Sequence, residues 1–208
     1  KALAPNIYYC MKDIVNYWEE EWRKITDTSE LLKPSYYSPL MKKSLPDFSD
    51  LEKNYPSTEK AEEVIRDINP EYENLPGYEN TCAMRVSKAL NYCKGHEIPQ
   101  QKGLLCIIGK DKKRYAIRVR EMERYIKDTY GEPVFELKAE KGIIDNSSII
   151  GKKGIISFHV SGWGDATGHI SLWNGKKVLY TGNRNYFNLY YKTSSNKFVQ
   201  VIKCYLWV

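Results

Sequence analysis

The sequence predicts an α+β domain in which helices come first and an antiparallel sheet follows. Three observations carry this. Apolar residues recur at helical spacing up to about residue 130, the period then changes from 3.6 to 2, and an Asn174-Gly175 dipeptide between two apolar runs marks a hairpin.

The first helix is expected over residues 9–26, where Met11, Ile14, Val15, Trp18 and Trp22 fall on one face. The following stretch, KPSYYSPLMKKSLPDF, carries three prolines and reads as a linker or wrapping segment. Residues 1–45 are therefore set apart as an N-terminal extension, and 46–208 as the main domain. A second helix is expected over 57–68, capped by Ser57 or Thr58, with Glu59, Glu62 and Glu63 complementing its dipole. Residues 69–79 read as loop. A third helix starts at Asn80-Thr81 and runs to Cys93, with Gly95 as its stop. A short buried strand covers 104–108, and a fourth helix covers 117–130 with Gly131 as terminator. Strands are then expected at 154–159, 168–173, 176–181 and 198–207.

Of the 208 residues, 42% are hydrophobic and 28% charged, enough apolar side chains for a sizeable core. No apolar run approaches the length of a membrane span, so membrane insertion is not expected. The net charge of +6 is scattered, without a nucleic-acid-binding motif. Such a charge serves solubility, or the approach to an anionic polymer. The five cysteines (Cys10, Cys82, Cys93, Cys106 and Cys204) have no metal-binding spacing, so neither a metal nor another cofactor is expected. They suit up to two disulfides and one free thiol, or five reduced thiols.

Two residues stand out for their chemistry. Cys82 falls in the first turn of the third helix, where unpaired N–H groups and the helix dipole stabilise a thiolate and can hold an oxyanion. A thiol nucleophile needs a base. Of the histidines, His96 lies at the far end of that helix, about 20 Å away at ~1.5 Å per residue. His169 follows the glycine-rich SGWGDATG loop and begins a strand, where a cleft can form. With a two-residue turn at 174–175, position 180 lies across from 169, so the Tyr180 side chain sits where a group orienting the imidazole belongs. If the register slips or the strand bulges, Thr181 or Asn183 takes that role. Trp163 and Asp165 lie on the glycine-rich loop, Trp163 lining a groove or capping the core. Trp173 and Trp207 read as core. Arg85, one turn past Cys82, contacts a substrate carboxylate or pairs with a structural acid.

The blocks NTCAMRVSKALN, RVREMERYIKDTYGEP and GKKGIISFHVSGWGDATGHISLWNG, followed by an aromatic C-terminal strand, resemble the fourth group of type VI secretion amidase effectors. That group is a branch of the NlpC class of papain-like peptidases, and the resemblance spans about residues 46–208. It implies a papain-like NlpC-type fold, with the nucleophile-bearing helices packed on an antiparallel sheet. It also implies a cysteine amidase, a DL-endopeptidase that cuts between D-glutamate and diaminopimelate in the peptide stems of bacterial peptidoglycan. The nucleophile falls on Cys82 and the base on His169. The third residue of the group is an aspartate eleven positions after the histidine, and here that position is Tyr180. The expected partners are the peptidoglycan stem peptide and an immunity protein, with no nucleic acid. The expected place of action is outside the producing cell, in the periplasm or cell wall of a target bacterium. The competing reading is a weakened or inactive cell-wall-binding or partner-binding module on the same fold, prompted by the missing aspartate. Asp165 precedes the histidine on the loop and is read as facing the substrate or shaping the loop.

Overall fold

The structure is a computed structural model that describes residues 42–73, 80–163 and 166–208. The helix expected at 9–26, most of the linker, Cys10 and Asp165 lie outside the described residues. Lys42–Val208 form one compact unit.

Four α-helices precede the main sheet: α1 (Phe48–Lys53), α2 (Ala61–Ile68), α3 (Cys82–Asn91) and α4 (Val119–Tyr130). The first was not expected. It is one short amphipathic turn and a half, FSDLEK, that buries Leu51. Helix α2 starts later than its serine and threonine suggested, because the backbone N–H of Lys60 donates to the Glu63 carboxylate at 2.8 Å and closes the first turn there. Helix α3 is buried along nearly its whole length, polar Arg85, Ser87 and Asn91 included. Its interior polar groups are all answered: Ser87 donates to Ala83 O at 2.8 Å, and Asn91 donates to Arg114 O at 2.7 Å. Helix α4 ends at Gly131, whose φ of 99° suits glycine.

The expected 104–108 strand is β1 (Cys106–Ile108). It pairs with β2 (Arg114–Ala116), which sequence periodicity had not marked. The main antiparallel sheet has the order β3–β7–β4–β5, with β6 also on β7. Its strands are β3 (Phe135–Lys138), β4 (Gly154–Ser161), β5 (Gly168–Trp173), β6 (Tyr190–Lys192) and β7 (Phe198–Trp207). Ile155, Ile170, Leu172, Tyr205 and Trp207 face α3 and α4 in one core cluster. Ile156, Phe158, Trp173, Cys204 and Leu206 form a second cluster on the opposite face, covered by Ile149, Tyr186 and Leu189. Covering on both faces explains why β4 and β5 read as nearly continuous apolar runs. The α+β prediction therefore stands. No described helix is long and apolar enough to cross a membrane.

One expectation is overturned and one alternative is decided. Cys82, Cys93, Cys106 and Cys204 are all free thiols, so the described residues hold no disulfide and follow the reduced alternative. The strand expected at 176–181 does not form. The Asn174 side chain accepts from the N–H groups of both Lys176 and Lys177, at 3.1 and 2.9 Å, and widens the turn. The turn closes on a single bridge between Trp173 and Val178 instead of on residue 176. That moves the register by two residues, and Tyr180 comes to lie across from Ser171, to whose hydroxyl its N–H donates at 3.2 Å.

Candidate active site

Cys82 opens α3, and Thr81 occupies the N-cap position without capping through its hydroxyl. The Thr81 hydroxyl instead accepts from Arg85 Nε at 3.0 Å. The thiol is 1% exposed. Burial pushes it up to about 11, against the pull of the backbone N–H groups of Ile170, Ala83 and Cys82 itself. The helix start thus acts in the direction expected of it but does not win: at neutral pH the resting group is a thiol, not a thiolate.

His169 enters β5 one residue after Gly168. A side chain at 168 would place its Cβ 2.0 Å from the Phe158 carbonyl of β4, so only glycine lets the strand start there. The imidazole stacks face to face on Tyr186, with ring centroids 4.3 Å apart and planes 4° from parallel. Its Nε2 lies 2.7 Å from the carbonyl oxygen of Tyr180. A carbonyl can only accept, so Nε2 carries the proton and Nδ1 is left with a free lone pair, the form a general base requires. Burial holds the ring down at about 4, the Tyr180 carbonyl opposing and Arg85 adding to the effect. At neutral pH the imidazole is uncharged. Ile170, next in sequence to His169, presents its N–H to the Cys82 sulfur, and Tyr186, which stacks on His169, lies near enough that a charge on Cys82 would push its hydroxyl up. The two groups are thus neighbours, although no hydrogen bond joins the thiol to the imidazole among the described residues.

At the third position Tyr180 does meet His169, but through its main chain and not its side chain. The tyrosine hydroxyl does not approach His169 in a hydrogen bond; the main chain of Tyr180 does. Asn183 is exposed, in a left-handed turn with φ 65°, and does not reach the imidazole. What fixes Tyr180 is a buried clamp. The Arg85 guanidinium lies 3.6 Å above its ring centroid, and Ser171, bonded to the Tyr55 hydroxyl at 2.9 Å, takes its N–H. Arg85 is fully buried, bonded to the carbonyls of Pro56 and Glu59 as well as to Thr81. It therefore neither reaches a substrate carboxylate nor pairs with an acid; its charge is solvated by carbonyls and an aromatic face.

A cleft of about 360 Å³ opens beside His169, with Asn80, Trp163, Tyr180, Arg184 and Tyr186 in its walls. Trp163 thus takes the groove position, held by an Nε1–H bond to the Tyr191 hydroxyl at 2.9 Å. Trp173 and Trp207 are core, as expected. A larger hollow of about 500 Å³, between Lys42–Leu51 and Trp207, has neither cysteine nor histidine in its described lining. His159 is engaged elsewhere, bonded at 2.7 Å to Glu123, which also accepts from Ser157. Among the described residues no cluster of side chains could hold a metal ion. Tyr55, Ser171, Arg184 and Tyr186 were missed by sequence reasoning. All but Ser171 sit in segments without periodicity.

The comparisons with known proteins give the family and the fold. The family model described as type VI secretion system (T6SS), amidase effector protein 4 (Tae4), matches residues 78–207. The chain belongs to the Tae4 family. Among solved structures, Tae4 from Enterobacter cloacae is 25% identical with a TM-score of 0.66, covering 80% of this chain and 98% of its own. Tae4 from Salmonella typhimurium, solved in complex with the immunity Tai4 from Enterobacter cloacae, is 27% identical with a TM-score of 0.64, covering 79% and 99%. The Salmonella Typhimurium Tae4–Tai4 complex matches at 27% identity and a TM-score of 0.63, with the same coverage. No curated protein matches. Both Cys82 and His169 fall within the Tae4-matched residues, as does the whole main sheet.

Proposed function

We propose that this Tae4-family chain is a cysteine amidase that hydrolyses the D-glutamate–diaminopimelate bond in the peptide stems of bacterial peptidoglycan through an acyl-enzyme. Its site of action is the periplasm or cell wall of a target bacterium, and an immunity protein of the Tai4 kind covers the cleft. One observation carries the reading: the bond from His169 Nε2–H to the Tyr180 carbonyl, which leaves Nδ1 as a neutral base beside a cleft and a helix-start cysteine.

Cys82 Sγ attacks the amide carbonyl carbon as its proton passes to His169 Nδ1. Since both groups rest uncharged, the proton moves with the attack, as in general-base catalysis. The imidazolium is stabilised by the Tyr180 carbonyl, and the oxyanion by N–H groups at the start of α3. Collapse of the tetrahedral adduct expels the amine, which takes the proton back from His169. A water then loses its proton to His169, adds to the thioester and releases the carboxylic acid with the free thiol. The competing reading, a wall-binding module without activity, rested on the absent aspartate, and the Tyr180 carbonyl supplies an acceptor in its place. Digestion of purified peptidoglycan tests the proposal: the wild type releases new amino termini and Cys82→Ala, still folded, releases none. Release by Cys82→Ala at the wild-type rate would sink it.

A further inference from the structure

One full charge lines the described part of the cleft beside His169, and no described residue neutralises it. The walls are aromatic rings, glycines, Ala166, Asn80 and Thr181, and His169 is uncharged above about pH 4; the exception is the exposed Arg184. Its guanidinium lies 5.5 Å from the Trp163 ring centroid and 5.9 Å from that of Tyr191. The two rings are bonded to each other, and Trp163 packs edge-on against Tyr186, the ring on which His169 stacks. Arg184 is thus seated on the same aromatic block as the imidazole. A cation–π contact uses the charge of a guanidinium and spends none of its five N–H donors. Among the described residues no hydrogen bond or ion pair engages those donors; only the Arg184 main-chain N–H is used, donating to Thr181 O at 3.2 Å.

We propose that Arg184 is the carboxylate-binding residue of the cleft, holding a free carboxylate of the substrate next to the scissile amide. The proposal rests on the amidase reading of Cys82 and His169. A glutamate linked through its side chain keeps its α-carboxylate free, on the very residue that supplies the scissile carbonyl. That planar anion matches the in-plane donors of a guanidinium. The Trp163 and Tyr191 rings beside the arginine favour its position before binding, which lowers the entropy lost on forming the pair, and their apolar surface reduces the competition from water. Arg85, the arginine expected to meet a carboxylate, is committed to carbonyls and to the Tyr180 ring.

The test uses two synthetic tetrapeptides, L-Ala–γ-D-Glu–meso-diaminopimelate–D-Ala with the glutamate α-carboxyl free or amidated. Wild type, Arg184→Gln and Arg184→Lys are compared. A charged hydrogen-bond pair predicts that the wild type prefers the free acid by about 10- to 100-fold in kcat/KM, mostly through KM. Arg184→Gln loses the preference by slowing the acid alone, and Arg184→Lys keeps part of it, having charge without the fork. Equal cleavage of both peptides by the wild type, or an undiminished preference in Arg184→Gln, overturns the proposal and leaves the amidase reading standing. Titration of each peptide into Cys82→Ala separates the two further. Equal affinity for both refutes Arg184 recognition whatever the cleavage result, and tight, acid-selective binding without wild-type cleavage refutes the amidase instead.

Discussion

Tyr180 is where the proposed mechanism is most exposed to test, because two substitutions there separate its main chain from its side chain. Tyr180→Phe keeps the ring under Arg85 and the carbonyl against His169, removing only a hydroxyl that makes no hydrogen bond among the described residues. Tyr180→Ala keeps the carbonyl but removes the ring that anchors it. A guanidinium 3.6 Å above a ring in a desolvated site contributes about 2 kcal/mol or more. Truncating a half-buried aromatic adds a packing loss, so a stability decrease of about 2–4 kcal/mol is expected for Tyr180→Ala. The bond from the imidazolium to the carbonyl is a charged one, of about 1.5–3 kcal/mol. Losing most of its alignment lowers kcat about 10- to 100-fold with little change in KM. Hydrolysis of a stem peptide gives the kinetics and thermal unfolding gives the stability. Tyr180→Phe should stay within about twofold of wild type on both. If Tyr180→Phe fell as far as Tyr180→Ala, the hydroxyl would be the working group and the carbonyl account would be wrong. If Tyr180→Ala kept full kcat, the Arg85 clamp would play no part in orienting His169.

The depressed histidine makes a pH prediction. Folded His169 titrates near 4 against about 6.5 unfolded, so between those values the unfolded chain binds the extra proton and stability falls as pH falls. The loss from pH 7 to pH 4 is about 3 kcal/mol for this group, read as a fall in denaturation midpoint that His169→Gln should abolish; an equal fall in that variant would assign it elsewhere. Gly168→Ala would drive a Cβ into the Phe158 carbonyl, and about 1–3 kcal/mol of destabilisation with a lowered kcat is expected from shifting the start of β5. An alanine variant as stable and active as wild type would show that the strand start can yield.

How much of this was legible in the sequence depended on whether a signal was local. Cys82 at a helix start and His169 at a strand start follow from periodicity and punctuation within a few residues, and β5 and β7 have the bounds expected of them. The hairpin register did not follow, since Asn174 spends its side chain on Lys176 and Lys177 and opens the turn. Arg85 was expected to meet a carboxylate, of the substrate or of a structural acid, because that is the usual partner of a guanidinium. Only the fold brings the carbonyls of Pro56 and Glu59 to it from more than twenty residues away. Position 180 was legible, but that its carbonyl and not its side chain is the acceptor for His169 was not, because every residue has a carbonyl and only the backbone path says which one arrives. Arg184 and Tyr186 lie in an aperiodic segment, where no pattern ranks one residue above its neighbours.

That a peptide carbonyl does the orienting has a consequence for heredity as well as for chemistry. No codon change can delete it. Position 180 need not encode an acid for His169 to find an acceptor, and its ring packs under the Arg85 cation. A search for the constellation by side-chain type would pass over this chain as incomplete. The group that completes it is an oxygen common to every link of the polymer, singled out only by where the chain is made to bend.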